Sequence, residues 1–125
     1  MNRGLPLRGL RAVASVHVAL ILVQAVFAGR FLAGDDAGLR LHEGNAELIV
    51  TVGLVQLVVA LLAWRPGRGP GWPALASLAL LVAEVTQMGF GYEGRLAVHV
   101  PLGVAIFGLA VAVALASWRQ PRPAS

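Results

Sequence analysis

The amino-acid sequence predicts an all-α fold, a bundle of four transmembrane helices. Of its 125 residues, 58% are hydrophobic and only 13% are charged, and the mean hydropathy is +0.76. A water-soluble domain of this size cannot bury that much apolar surface in one core. Four stretches also reach the roughly 20 apolar residues that an α-helix needs to cross a bilayer core about 30 Å thick. Helices are expected because an open sheet would leave backbone groups unpaired in lipid.

The four predicted helices form a single domain and leave few residues outside the membrane. They run from about Leu10 to Leu32, Glu43 to Trp64, Trp72 to Tyr92, and Leu96 to Trp118. Three connections separate them: Gly29 to His42, the segment RPGRGPG from Arg65 to Gly71, and a short turn around Glu93, Gly94 and Arg95. Prolines and glycines interrupt helices at the second connection, and Gly34 with two aspartates gives the first connection turn chemistry.

The charges predict a multi-pass protein of the inner (plasma) membrane. Its helices are expected to run up-down-up-down, with both termini in the cytoplasm. Seven arginines fall on one side of the predicted bundle: Arg3, Arg8, Arg11, Arg65, Arg68, Arg119 and Arg122. Only Arg30, Arg40 and Arg95 fall on the other side. The positive-inside rule places the richer side in the cytoplasm, and tryptophans 64, 72 and 118 then lie at that interface. The net charge of +4 therefore reports topology, and no nucleic-acid partner is expected.

A cleaved signal peptide is the alternative interpretation of the first helix. Three arginines precede an apolar run that ends near Val26-Phe27-Ala28, but the run exceeds the 7 to 15 residues usual for a signal peptide. The chain has no cysteine, which excludes disulfides, thiol catalysis, cysteine-ligated clusters and covalent attachment of c-type haem.

The functional candidates are the polar residues within the predicted membrane segments, since such residues are costly in lipid. They are His17, Gln24, Glu47, Gln56, Glu84, Gln87 and His99, with His42 and Glu43 at the outer mouth of the second helix. Glu84, near the membrane centre, serves as either a proton relay or a polar clamp that accepts hydrogen bonds from Gln24, Gln56 or Gln87. His17 is expected to be a packing residue, because it is far in depth from the other two histidines.

His42 and His99 are predicted to approach each other near the outer face. His42 opens the second helix, His99 lies about one turn inside the fourth, and both helices run from outside to inside. Two imidazoles facing a cavity can be axial ligands of haem. Small residues follow each histidine at helical spacing, including Gly53 after His42 and Gly103 after His99, and they leave space for a helix or for a flat macrocycle. The helix boundaries place His42 about one turn nearer the surface than His99, which helix tilt or a longer second helix would have to compensate.

Three segments carry a resemblance to known proteins: FAGRFL, LRLHEGNAELI and GRLAVHVPLGVAIFG. In their four-helix setting they resemble a group of small, largely actinobacterial membrane proteins, and also one half of the haem A synthase family. That resemblance implies that His42 and His99 ligate haem. The synthase pattern has a carboxylate three residues before its second-helix histidine, where this chain has Leu39, and the synthase has two four-helix units. Binding of haem b or electron transfer is therefore expected rather than oxidation of haem.

Two functional hypotheses follow, and whether the protein is an enzyme stays open. The first is a b-type haem-binding membrane protein with a role in electron transfer, with His42 and His99 as iron ligands and Arg40 or Arg95 pairing with the propionates. The second is a non-catalytic accessory or scaffold subunit whose polar residues stabilise helix packing. The expected partners are the lipid bilayer and a membrane redox partner or larger complex, and the sequence does not determine the oligomeric state.

Overall fold

A computed structural model describes residues 4–121 and confirms the all-helical bundle. The helices are α1 (Gly4–Leu32), α2 (Asp36–Trp64), α3 (Trp72–Tyr92) and α4 (Leu96–Arg119), and the described residues contain no strand. All four are long and apolar enough to cross a membrane. Many large apolar side chains lie on the outside of the bundle, among them Leu22, Leu54, Val82 and Val104. Lipid is the medium in which such a surface is stable.

The second helix is seven residues longer than the sequence predicted, and the first connection is correspondingly shorter. Asp35 is the N-cap of α2, and its carboxylate accepts a hydrogen bond from the amide of Ala37. Asp36 places a second negative charge in the first turn, where the helix dipole favours it. The predicted boundary is wrong because aspartate favours turns and helix caps alike, and here it caps a helix. His42 consequently lies inside α2 rather than at its start.

The core of the bundle consists of small and branched apolar residues from all four helices. The larger cluster contains Ile21, Ile49, Leu80, Ile106, Ala110 and Val113. A second cluster of Leu10, Ala60 and Ala74 lies nearer the Arg65–Gly71 connection. Consecutive helices pack on each other, and α1 also packs on α4, which closes the ring of four.

The two helix pairs, α1–α2 and α3–α4, repeat one packing pattern. Buried residues of α1 match buried residues of α3 at identical spacing: Leu10 with Pro73, Arg11 with Ala74, Ala14 with Ser77, His17 with Leu80, and Ile21 with Glu84. Buried residues of α2 match those of α4 in the same way: Ile49 with Ile106, Gly53 with Ala110, Gln56 with Val113, and Ala60 with Ser117. The molecule is therefore built as two equivalent helical hairpins.

The hairpins differ in length at their turns. Gly34 and Gly94 have positive φ angles of 93° and 70°, and their amides donate equivalent turn hydrogen bonds to the carbonyls of Phe31 and Gly91. Gln24 and His42 lie ten and eight residues from Gly34, whereas their counterparts Gln87 and His99 lie seven and five residues from Gly94. Each arm of the first hairpin is therefore three residues longer. The first hairpin therefore extends about 4.5 Å further, at 1.5 Å of rise per residue. We call the end of the bundle that carries both turns the hairpin end.

Candidate functional site

The structure brings His42 of α2 and His99 of α4 together near the hairpin end. Their ring centroids are 6.0 Å apart, and the ring planes make an angle of 61°. Both residues are partly buried. The additional length of α2 before His42 removes the difference in depth that the predicted boundaries implied.

Equivalent hydrogen bonds hold the two histidines. His42 Nδ1 lies 3.1 Å from the Gln24 carbonyl oxygen, and His99 Nδ1 lies 2.9 Å from the Gln87 carbonyl oxygen. A carbonyl oxygen only accepts hydrogen bonds, so both Nδ1 atoms carry the proton. In the neutral form of each ring the lone pair is then on Nε2, and this is the form of imidazole that binds a metal ion.

The glutamine side chains complete two matching clamps. Gln24 Nε2 donates to the carbonyl of His42 at 2.9 Å, and Gln87 Nε2 donates to the carbonyl of His99 at 3.1 Å. Asn45, which the sequence analysis missed, donates to Gln24 Oε1 and to the carbonyl of Leu20. Its position three residues after His42, on the same helix face, was the available signal.

A cavity of about 610 Å³ lies beside the two histidines and is lined by all four helices. That volume is within the range of about 300–1,000 Å³ usual for small-molecule and cofactor sites. The lining is mainly apolar, with Ile21, Ala25, Ile49, Met88 and Phe107 among its members, and it also includes Glu43 and Glu84. An apolar wall with a few convergent polar groups is typical of a cofactor pocket.

The predicted glycines have different neighbours. Gly103 lines the cavity, and a Cβ at this position would collide with the Gln87 amide group. Gly53 was predicted to leave space for the cofactor, but it does not line the cavity. It makes room for Glu84 instead, since a Cβ at this position would lie 2.6 Å from Glu84 Oε2. Gly91, which was not predicted, allows the His99 ring to approach α3, since a Cβ there would lie 3.0 Å from the ring.

The predicted arginines lie outside the cavity lining. Arg40 and Arg95 are both exposed. The Arg95 guanidinium is 3.7 Å from the Glu93 carboxylate and 4.9 Å from the centre of the Phe90 ring. Both arginines are near the start of their helices, at the same end of the bundle as His42 and His99.

A second polar cluster, which we call the inner quartet, lies deeper in the bundle and consists of His17, Gln56, Ser77 and Glu84. His17 Nε2 is 2.6 Å from Glu84 Oε1, and His17 Nδ1 donates to Gln56 Oε1 at 2.9 Å. Gln56 Nε2 donates to Ser77 Oγ at 3.1 Å. The four residues are buried, and His17 is fully so.

The inner quartet corrects two expectations. Glu84 contacts His17 rather than any of the three glutamines, because Gln24 and Gln87 turn to the histidine backbones and Gln56 turns to His17 and Ser77. His17 is buried as a packing residue would be, but it also pairs with the carboxylate. Sequence reasoning missed this pair because the two residues are far apart in the chain and their relative rotation depends on tertiary packing.

A lone divalent ion is a poor occupant of this site. Within residues 4–121, no group of three or more histidine, cysteine, aspartate or glutamate side chains is arranged to hold a metal ion. Two imidazoles alone leave a tetrahedral ion without its other protein ligands. Haem needs only axial ligands from the protein, because the macrocycle supplies the remaining nitrogens. Comparison of the chain with protein-family models, curated proteins and solved structures gave no match.

Proposed function

We propose that the protein is a b-type haem-binding integral membrane protein in which His42 and His99 are the axial ligands. Metal–imidazole bonds are about 2 Å long, so two imidazoles on opposite sides of one ion have ring centroids roughly 6 Å apart. The observed separation is 6.0 Å. This agreement is the observation that carries the proposal.

The hydrogen bonds of the two histidines support the same function. Nδ1 of each ring donates to a backbone carbonyl, an outer contact that metal-ligating histidines commonly have because it sets the ring orientation and increases ligand basicity. The mainly apolar lining suits the apolar body of a macrocycle. Arg40 and Arg95, at the hairpin end, would pair with the carboxylates of the cofactor at the surface.

Bound haem would supply one-electron chemistry, and the protein would act as an electron carrier in the membrane. We further propose that the four helices alternate in direction across the inner membrane, with both termini and the Arg65–Gly71 connection in the cytoplasm. The excess of arginine at that end supports this orientation. The haem site would then lie near the opposite, outer face.

An absorption spectrum of the detergent-purified protein, expressed in haem-replete cells, tests the proposal. We expect a Soret band and the spectrum of six-coordinate low-spin haem. His42→Ala and His99→Ala should each remove the low-spin signal, and added imidazole should restore it in either variant by refilling the vacated position. Glu47→Ala is the matched control, because Glu47 is exposed on α2 and does not line the cavity.

A colourless wild-type protein would overturn the haem proposal. So would a spectrum that neither histidine substitution changes. The accessory-subunit hypothesis would then remain, with the histidine–glutamine clamps acting only in helix packing.

A further inference from the structure

We propose that the Glu84–His17 pair exchanges a proton in step with electron transfer at the haem site, which makes the reduction potential depend on pH. This inference rests on the proposed haem function and concerns residues that do not ligate the iron. When a one-electron reductant adds an electron to the haem, the pair takes up one proton from water at Glu84 Oε2. Oxidation by a one-electron acceptor releases that proton.

The position of Glu84 provides the first support. Its side chain is 3% exposed, yet the residue forms part of the lining of the cavity. Oε1 contacts His17, whereas Oε2 is buried and has no hydrogen-bond partner within residues 4–121. A buried carboxylate oxygen without a partner is costly, and one that lines a cofactor cavity can be relieved by binding a proton.

His17 makes that carboxylate part of a shared proton site. His17 Nδ1 donates to Gln56 Oε1, so this nitrogen keeps its proton. The 2.6 Å contact between His17 Nε2 and Glu84 Oε1 then holds one further proton between the two atoms. A second proton on Glu84 Oε2 changes the pair from neutral to positive, and this change offsets a negative charge added to the cavity.

Electrostatics couples the two events. Charges in an apolar interior interact far more strongly than charges in water, and a charge added within the bilayer is costly unless it is compensated. The cavity connects the histidine site with Glu84 through a mainly apolar lining. An added electron therefore favours proton uptake at the nearest buried group that can accept one.

The repeat within the chain shows that the inner quartet is not a requirement of the fold. At the equivalent positions in the other hairpin, His17 corresponds to Leu80, Glu84 to Ile21, Gln56 to Val113 and Ser77 to Ala14. The same packing pattern is thus achieved with four apolar residues. A polar set that the architecture does not need, buried beside a cavity, indicates a function beyond packing.

The other histidines and carboxylates of the helices around Glu84 lie nearer the hairpin end than Glu84 does. On α1, His17 is the titratable residue in contact with Glu84, while α2 presents Gly53 and Gln56 at this level. The remaining histidines and carboxylates of α2 and α4 all lie nearer the hairpin end: Asp36, His42, Glu43, Glu47 and His99. Within residues 4–121, no hydrogen bond joins Glu84 or His17 to His42 or His99.

The test is a redox titration of the haem-loaded protein at several pH values. For one proton per electron, each tenfold change in proton concentration shifts the midpoint potential by about 59 mV, so we expect a slope approaching this value in the wild type. Glu84→Gln keeps the side-chain volume and should make the potential nearly independent of pH while keeping the low-spin spectrum. Glu47→Gln, which changes an exposed carboxylate of α2 outside the cavity lining, should keep the wild-type slope.

The outcomes separate the two proposals. A colourless protein overturns haem binding itself. A coloured wild type with a pH-independent potential, or a slope that Glu84→Gln leaves unchanged, overturns the proton coupling and leaves haem binding intact. If Glu84→Gln fails to fold, the redox-difference infrared spectrum of the wild type in H₂O and D₂O is the deciding measurement. We expect a carboxyl C=O band that appears on reduction and shifts in D₂O. The absence of this band would contradict the inference.

Discussion

At the scale of single residues, each polar side chain of the two clusters is positioned by a partner on another helix. His42 and Gln24 join α2 to α1, and His99 and Gln87 join α4 to α3. Within the inner quartet, His17 bridges α1 to both α2 and α3. Buried groups with partners cost little, whereas the same groups left single are strongly destabilising.

His17→Leu should destabilise the protein by about 3–5 kcal/mol, because it leaves the buried Glu84 carboxylate without its partner. Replacement of the whole inner quartet by its apolar counterparts should recover most of that loss. This variant is His17→Leu, Gln56→Val, Ser77→Ala and Glu84→Ile. Thermal unfolding in detergent measures both effects. A quartet variant no more stable than His17→Leu would show that the two hairpins do not pack equivalently.

At the scale of secondary-structure elements, the short turn between α1 and α2 sets where α2 begins and how deep His42 lies. Both the Nε and the Nη2 of Arg30 donate to Asp35 Oδ2, at 2.8 and 2.6 Å, while Asp35 Oδ1 caps α2. The hydrogen bonds from Arg30 hold the pKa of Asp35 below its usual value, with the backbone amide of Ala37 adding to the effect.

The stabilisation from Asp35 should be lost in acid. A carboxylate whose pKa is lowered by folding stabilises the protein fully above the unfolded pKa, about 3.9, and the effect disappears as the pH falls through the folded pKa. Asp35→Ala should therefore unfold at a lower temperature than the wild type near neutral pH, and the difference should shrink below about pH 4. Arg30→Ala should reproduce much of this pattern. A pH-independent difference would contradict it.

Close contact between α1 and α2 depends on Gly38. A Cβ at this position would lie 2.5 Å from the Phe31 amide nitrogen and 2.9 Å from the Phe27 carbonyl oxygen. These are backbone atoms that cannot rotate away, so Gly38→Ala should cost about 1–3 kcal/mol.

Gly44→Ala, in the same helix, is the matched control. A Cβ at Gly44 meets nothing within 4 Å, and replacing a helical glycine with alanine stabilises a helix by up to about 1 kcal/mol. Thermal unfolding of the two variants should therefore shift in opposite directions. Equal shifts would show that α1 and α2 do not approach as closely as described.

At the scale of the whole molecule, the two hairpins form one site at the hairpin end and are also joined at the opposite end of the bundle. Arg11 is buried near the other end, where Nε donates to the carbonyl of Ser117 and Nη2 to that of Gln120. A cation at the C-terminus of α4 is favoured by the helix dipole. The guanidinium also lies 5.5 Å from the centre of the Trp118 ring.

The proposed orientation can be tested by cysteine labelling, since the natural chain has no cysteine. A membrane-impermeant maleimide should label Glu93→Cys, at the hairpin end, in intact spheroplasts. Pro70→Cys, in the connection between α2 and α3, should react only after the membrane is opened. Both positions are exposed, so equal accessibility is expected in detergent. If only Pro70→Cys were labelled in intact spheroplasts, the protein would have the opposite orientation to the one proposed.

The sequence by itself determined the number of helices, their apolar exterior and most of their boundaries. The predicted limits of the third helix match α3 from Trp72 to Tyr92, and the predicted fourth helix ends one residue before α4 does. These features follow from composition and from local breaks such as Pro66 and Gly94, because lipid requires every spanning segment to be apolar and to satisfy its backbone internally. The placement of Asp35 was ambiguous, since aspartate favours both turns and helix caps.

Only the tertiary structure decided which polar groups meet. The sequence indicated His42, His99, Gln24 and Gln87 as candidates, but their pairing into two matching clamps depends on how the helices are rotated against each other. The same is true of the Glu84–His17 pair and of Gly53, whose missing side chain makes room for that carboxylate. Hydropathy records how readily each segment leaves water, whereas contacts across a bundle depend on close packing between residues far apart in the chain.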